Sequence, residues 1–362
     1  MSETSHDNKA PLSNDAAALN DRISRLFARM SDGLDHVNRA MREQLESASD
    51  IMPVIGSHVL SSGGKRLRPI LVLLSAELCG YSGSRRVQLG AALELIHTAT
   101  LLHDDVVDLS SLRRGQPSAN AVWGNRRAVL AGDFFYGRAS SMIVEDGSLA
   151  ILEIFSNTIR MMAEGELIQL QQSFDTHVSE RQYFQVIERK SAVLLSAACE
   201  IGANLGAVTR GEVRRVAEFG RELGIAFQVR DDVLDYEASE ETLGKPQCAD
   251  LREGKVTLPL LLTLKRCTNN EREQVAGLLK NASQTAMQNL GLSEEELRAS
   301  DASAIELAPI LELVERHHGV ADSMRRAEEH AEKACAAIAA FPESSAKQSM
   351  LDLAQYSVHR DH

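Results

Sequence analysis

Two aspartate clusters have the composition and spacing to do chemistry: Asp104-Asp105-Val106-Val107-Asp108 and Asp231-Asp232-Val233-Leu234-Asp235. On an α-helix, residues four apart lie about one turn apart on one face, so each cluster reads as a carboxylate fork. That makes Asp104, Asp108, Asp231 and Asp235 the candidate metal ligands, with Asp105 and Asp232 beside them. Like charges at this spacing weaken a bare helix by a few tenths of a kcal/mol per pair, so cations must offset them. Magnesium suits the pattern, because it takes oxygen ligands and is commonly held by one or two carboxylates together with substrate phosphates. A solvated acidic helix face is the plain alternative. The repeat argues against it, as do the apolar neighbours Ala99-Thr100-Leu101-Leu102 and Ile225-Ala226-Phe227. Unpaired charges among such residues are costly.

Cations accompany the forks although the formal net charge of the chain is -12. Ser61-Ser62-Gly63-Gly64-Lys65-Arg66-Leu67-Arg68-Pro69 lets Lys65 and Arg68 converge on an anion near a helix start. Arg113-Arg114-Gly115, directly after the first fork, can clasp diphosphate oxygens from two sides. His97 can donate to a phosphate, and His103 reads as a hydrogen-bonded neighbour of the carboxylates. Lys190-Ser191 opens a small-residue apolar run, where a lysine needs a partner, and Gln228 shares the face of the second fork. Gly244-Lys245-Pro246 and Asp250-Leu251-Arg252-Glu253-Gly254-Lys255 form a loop of lid length.

The elements that must position these groups are helices. The chain is rich in Ala, Leu, Glu and Arg, and only 4% of it is aromatic. Residues 1 to about 18 read as a disordered tail and residues 19–362 as one domain, without a dividing linker. Helical periodicity runs from Leu19 to about Leu60, then from Pro69 to Cys79 before Gly80. The stretch from Val87 to Asp108 carries the first fork at its C-terminal end, where the helix dipole disfavours negative charge. Residues 126–172 read as two helices whose apolar stripe, including Ile143 and Phe155, is core or tunnel wall. A helix begins at Lys190, Thr257 caps another, and residues 290–302 read as an irregular insert.

The net charge argues against nucleic acid as a partner. The five cysteines are dispersed, as in reduced cytosolic proteins, and the polar, acidic start at Met1–Asp7 reads as neither signal nor transit peptide. No run reaches the roughly 18 apolar residues that span a bilayer. A cytoplasmic protein is expected, with transient membrane contact if its product is greasy.

In order along the chain, GGKRLRP at 63–69, LLHDDVVD at 101–108, RRG at 113–115, GDF at 132–134, KS at 190–191, FQVRDDVLDY at 227–236 and GK…DLREGK at 244–255 resemble the trans-isoprenyl diphosphate synthases. The resemblance implies an all-α isoprenoid synthase-type bundle around a deep central cavity, usually a homodimer. It implies that Asp104 and Asp108 with Asp231 hold magnesium on an allylic diphosphate, and that Lys65, Arg68, His97 and Arg114 bind isopentenyl diphosphate. Arg113, Lys190, Ser191, Gln228 and Lys245 would hold the allylic diphosphate, with Lys255 nearby. Asp105, Asp232 and Lys190 join the metal-binding aspartates in the catalytic set. The sequence departs from the family pattern in two places. Ser191 stands where Thr is more usual, keeping the hydroxyl, and the chain ends Arg360-Asp361-His362 in place of a terminal Arg.

In short-chain relatives, bulky aromatic residues just before the first aspartate motif close the cavity. Here the fifth residue upstream is Ala99, followed by Thr100, so an open tunnel and a long product are implied, most like the octaprenyl diphosphate synthases. A floor near Ile143 or Phe155 is the accompanying guess, farnesyl diphosphate the expected primer, and a quinone side chain the leading destination. Three rivals stand beside this reading: a terpene cyclase, a farnesyl or geranylgeranyl synthase with a higher floor, and a noncatalytic subunit of a heteromeric synthase.

Overall fold

The computed structural model describes residues 12–61, 64–237, 247–289 and 306–360. Among them the architecture is helical, as expected, apart from one two-stranded ladder. The first helix, α1 (Leu12–Glu43), begins inside the segment expected to be a tail, so residues 12–18 are helical; Leu19, Ile23, Leu26 and Met30 bury its apolar stripe. It is followed by α2 (Ile51–Ser61), α3 (Leu67–Leu78) and α4 (Arg85–Val107). α4 ends one residue before Asp108, whose N–H closes the last turn onto Asp104 O at 2.8 Å.

After α4 the chain makes a short hairpin, Leu112–Arg113 against Gln116–Pro117. Arg114 and Gly115, with φ of 53° and 73°, form its turn. Two positive φ angles in a two-residue loop match the right-handed twist of the strands. The short α5 (Ala119–Trp123) leads into α6 (Asn125–Asp146) and α7 (Leu149–Gln171).

The Lys190-Ser191 region is not a helix start. A reciprocal Ser179–Gln182 cap starts α8 (Glu180–Ile187), a π turn spans Glu188–Ala192, and α9 (Val193–Asn204) continues the helix. A π turn inserts one residue and is frequent at functional sites. Opposite it, a Cβ added to Gly165 would lie 2.9 Å from Lys190 N, so the glycine is what lets α7 approach. Helix α10 (Arg210–Glu237) starts at a second reciprocal cap, Thr209 Oγ1 accepting from Glu212 N at 3.2 Å and Glu212 Oε2 from Thr209 N at 2.7 Å.

Six further helices complete the described chain: α11 (Ala249–Arg252), α12 (Leu258–Arg266), α13 (Asn269–Asn289), α14 (Leu307–Arg316), α15 (Gly319–Ala337) and α16 (Ser345–His359). Thr257 occupies the position before α12, but its hydroxyl makes no capping bond. The core splits into one cluster built on α1, α3, α4 and α6 and a second built on α10, α12 and α15. The cavity lies between α4 and α10, with α7 and α9 closing its sides.

Candidate active site

A cavity of about 1020 Å³ is lined on one side by α4 and on the other by α10. Helical spacing places Glu94, His97, Leu101 and Asp104 on one face of α4, and all four line it. Lys65, Arg68 and Arg114 gather at one end with His97, while Asp104, Lys190, Ser191, Gln228 and Asp231 also face the space. Ala99 and Thr100 line its apolar part with Ile159, Met162 and Leu194.

The cationic end is shaped by backbone as much as by charge. Gly64 has φ of 139°, and a Cβ there would lie 2.7 Å from Arg114 Nη1, so glycine admits the guanidinium against the chain. Lys65 Nζ donates to Tyr356 Oη at 2.7 Å. Arg68 is held below the usual arginine range by burial, with Glu94 and Asp231 opposing and Arg114 adding to the effect. His97 is pushed well below its ordinary value by burial and then by Arg68 and Arg114, so it is a neutral donor.

The two forks differ from their expected symmetry. Asp104 faces the cavity, and burial pushes its carboxyl up to about 6, opposed by Lys190 and reinforced by Glu166 and Asp108. Asp108 is not in the cavity wall and pairs with Lys255 Nζ at 3.0 Å. Burial works to lower the Lys255 value, but Glu253, Asp250 and Asp108 outweigh it and hold the ammonium charged. On α10, Asp231 faces the cavity. Asp235 does not project with it: its oxygens accept N–H bonds from Ala249 at 3.0 Å and Asp250 at 3.2 Å. The first turn of α11 takes the Asp235 carboxylate as its cap, which helical spacing could not reveal.

Asp105 and Asp232 are buried beside the cavity-facing carboxylates Asp104 and Asp231. Asp105 takes Arg113 in a two-pronged pair, Nη2 to Oδ1 at 2.6 Å and Nε to Oδ2 at 3.0 Å. Arg113 is therefore turned away from the cavity wall while Arg114, next to it in the hairpin turn, faces it. Asp232 ends a relay in which Ser191 Oγ donates to Gln228 Oε1 at 2.7 Å and Gln228 Nε2 to Asp232 Oδ1 at 2.9 Å. Tyr183 Oη also donates to Asp232, at 2.6 Å. Burial, with Asp250 nearby, pushes Asp232 well above the usual carboxylate range. This relay and Lys255 border a smaller pocket of about 140 Å³ next to the main cavity. Lys190 is steadied from α7 by Glu166 at 2.5 Å and Gln169 at 2.7 Å.

Ile143 and Phe155 are not in the cavity wall; both are packed in the first core cluster, 0% and 3% exposed. Lys245, the rest of residues 238–246 and the insert at 290–302 lie outside the described residues. His103 reaches Val129 O at 3.2 Å and Asp133 at 3.3 Å.

Sequence reasoning missed Glu94, Glu166 and Arg360, which all line the cavity. The first two lie at helical spacing from His97 and Gln169, a signal that was there to be used. Arg360 was discounted because it is not the last residue. Its side chain nevertheless donates to Asp231 and lies 3.6 Å from the centroid of the Phe227 ring.

The groups able to hold a metal in this cavity are carboxylates, the donor set of a hard cation rather than zinc. Asp104 and Asp231 fit it best, and burial gives Asp104 a reason to accept one. Among the described residues, Cys267, Glu271 and His317 also cluster, but Glu271 already caps α13 through Thr268 and pairs with Arg316 at 3.0 Å.

The comparisons agree with this geometry. Residues 50–291 match the family model described as polyprenyl synthetase. The octaprenyl diphosphate synthase of Escherichia coli (strain K12) is 38% identical over 94% of this chain and 99% of its own length. An all-trans-nonaprenyl-diphosphate synthase (geranyl-diphosphate specific) of Rhodobacter capsulatus is 34% identical over 92% of this chain and 97% of its own. A crystal structure of polyprenyl synthase from Caulobacter crescentus CB15, complexed with calcium and isoprenyl diphosphate, superposes with a TM-score of 0.81 at 37% identity, covering 94% of this chain and 98% of that one. With the motif order, the helical cavity and these likenesses in agreement, the chain belongs to the polyprenyl synthetase family and is a trans-prenyltransferase.

Proposed function

We propose that this enzyme condenses isopentenyl diphosphate head-to-tail with an allylic diphosphate, farnesyl diphosphate being the preferred primer, to make a long polyprenyl diphosphate of about eight isoprene units. The observation that carries this reading is the single cavity with a cationic end at Lys65, Arg68 and Arg114, carboxylates at Asp104 and Asp231, and an apolar part that starts at Ala99.

Magnesium held by Asp104 and Asp231, with Asp108 once Lys255 yields, would supply positive charge to the allylic diphosphate as its carbon–oxygen bond breaks. Lys190, fixed by Glu166 and Gln169, adds a charge-assisted hydrogen bond to the same leaving group. Lys255, just after α11, serves the same diphosphate, as does Arg113 after release from Asp105; the sequence resemblance adds Lys245 to this set. Lys65, Arg68, Arg114 and neutral His97 orient isopentenyl diphosphate so that its double bond faces the allylic carbon. That double bond attacks as the diphosphate leaves. The resulting tertiary cation loses a proton, which the departing diphosphate accepts. The apolar wall excludes water that would otherwise capture the cation.

We place a second copy of the chain against α6, where Val129, Leu130 and Val144 are exposed. No described helix is long and apolar enough to cross a membrane. We place the enzyme in the cytoplasm, releasing its product to lipid, as a separate part of this proposal. A quinone side chain is the proposed destination of that product.

Incubation with magnesium, isopentenyl diphosphate and farnesyl diphosphate, followed by sizing of the dephosphorylated prenols, tests the reading. A dominant product near eight units supports it. Products of three or four units would replace it with a short-chain synthase, and no elongation with any primer would favour a noncatalytic subunit.

A further inference from the structure

Glu94 is an unexpected group in this cavity. It lies 4% exposed in the wall that gathers Lys65, Arg68, His97 and Arg114, where a carboxylate repels any anionic substrate. Burying an ionised carboxylate is costly unless it is paired. One of its oxygens, Oε1, accepts from Arg66 Nη1 at 3.0 Å. The other, Oε2, is buried and has no hydrogen-bond partner.

Its surroundings supply the reason for its presence. Arg66 is held at a φ of 47° in the cavity wall and spends its second terminal nitrogen on Leu60 O at 2.8 Å, so both ends of its guanidinium are already fixed. Arg68 Nε is buried and has no hydrogen-bond partner. Glu94 acts electrostatically on both Arg68 and Arg114, favouring their charged forms against burial. Permanently charged guanidinium groups packed together repel one another in the free enzyme. One buried carboxylate among them offsets that repulsion and ties the set to α4, one turn from His97.

We propose that Glu94 is a positioning residue for the homoallylic substrate: a resident counter-ion that keeps the Arg66, Arg68 and Arg114 cradle assembled before the diphosphate arrives. This inference rests on the reading that the cradle takes isopentenyl diphosphate. Preorganised cations do not have to be gathered at the moment of binding, so the benefit belongs to that substrate's affinity. The allylic site, built on Lys190, Gln228 and Asp231, is not held by Glu94.

The test is steady-state kinetics on the full chain with each substrate varied in turn. Glu94→Gln keeps the shape and an acceptor for Arg66 but removes the charge. It is expected to raise KM for isopentenyl diphosphate about tenfold while KM for farnesyl diphosphate stays within about twofold and kcat falls less than about threefold. Glu94→Asp restores the charge and is expected to recover at least half of that loss on a logarithmic scale. An unchanged or lower KM for isopentenyl diphosphate overturns the proposal, because the carboxylate would then only oppose the substrate. Equal rises in both KM values, or no recovery in the Asp variant, overturn it in favour of a general packing role.

Calorimetry with isopentenyl diphosphate, without magnesium and without allylic substrate so that the metal-dependent allylic site takes no part, separates this inference from the reading beneath it. Binding to the wild type that weakens in Glu94→Gln supports both. Equal binding to the two proteins defeats the Glu94 proposal alone, and no binding to the wild type defeats the cradle itself.

Discussion

Arg360, at the end of the described chain, donates from Nη2 to Asp231 Oδ1 and lies 3.6 Å from the centroid of the Phe227 ring. The same nitrogen reaches Phe227 O at 3.1 Å, and Arg230 Nε returns a bond to Arg360 O at 3.1 Å. The chain end is thereby fastened to the helix that carries the second aspartate cluster, and Asp231 already has a cation before any metal arrives. Arg360→Met keeps the volume and removes that cation. It should lower kcat/KM by about tenfold or more and also lower the magnesium concentration needed for half-maximal rate, since one competitor for Asp231 is gone. A metal titration in the steady state checks both; unchanged values would leave Arg360 only a packing role.

Asp104 gives a pH prediction of definite sign. Its folded value of about 6 lies above the 3.8 of an unperturbed carboxyl, so the folded chain binds the proton more tightly than the unfolded one. This group therefore makes folding less favourable as pH rises through that window, and the penalty persists at neutral pH until a cation offsets it. Without metal at pH 7.5, Asp104→Asn should be more stable than wild type by on the order of 1–3 kcal/mol while losing nearly all turnover. Thermal melts with and without magnesium test this: the metal should raise the wild-type midpoint and leave the variant's almost unmoved. A variant less stable than wild type in the absence of metal would remove the assigned desolvation.

The π turn at Glu188–Ala192 aims Lys190 at Glu166 and Gln169 and Ser191 at Gln228. Gly165 makes room for it, so Gly165→Ala should push α7 off the turn, cost about 1–3 kcal/mol through overpacking, and displace Lys190. Turnover should fall by about tenfold or more, with the allylic KM rising further than the homoallylic one. Kinetics with each substrate varied, alongside a denaturation curve, separates the local displacement from simple destabilisation.

The fold was legible because its helices are amphipathic and their breaks are marked by Gly80 and the RRG turn. The cationic cradle was legible too, since Lys65, Arg68, His97 and Arg114 do meet. What sequence spacing could not supply was the effect of loops folding back. Helical geometry points Asp235 with Asp231 until backbone N–H groups of Ala249 and Asp250 claim it. Arg113 and Arg114 read as one clasp, yet the hairpin turn sends one to Asp105 and the other to the cavity. The helix through Lys190 hid its π turn, because nothing in the residue types distinguishes an extra residue per turn from ordinary α-helix. α1 begins in the expected tail, and later parts of the chain hold it: Leu19, Ile23, Leu26 and Met30 are buried in the first core cluster and Arg22 Nε donates to Asp352 at 2.9 Å.

Product length follows from which apolar residues face the cavity. Ala99 is 2% exposed and lines it, so Ala99→Tyr places a ring across the passage about one and a half turns before Asp104. The product should shorten to a few isoprene units, with the rate of the first condensation retained to within about tenfold because Ala99 is not among the residues proposed to hold the diphosphates. Phe155 offers the contrast: it is 3% exposed, packed in the core and absent from the cavity wall. Phe155→Ala should cost about 3–5 kcal/mol of stability by leaving a void, yet leave the length distribution unchanged in the fraction that folds. Chromatographic sizing of both variants beside the wild type decides the matter. A shortened product from Ala99→Tyr with an unaltered one from Phe155→Ala puts the passage along α4, whereas longer products from Phe155→Ala would extend it down to the α6–α7 core.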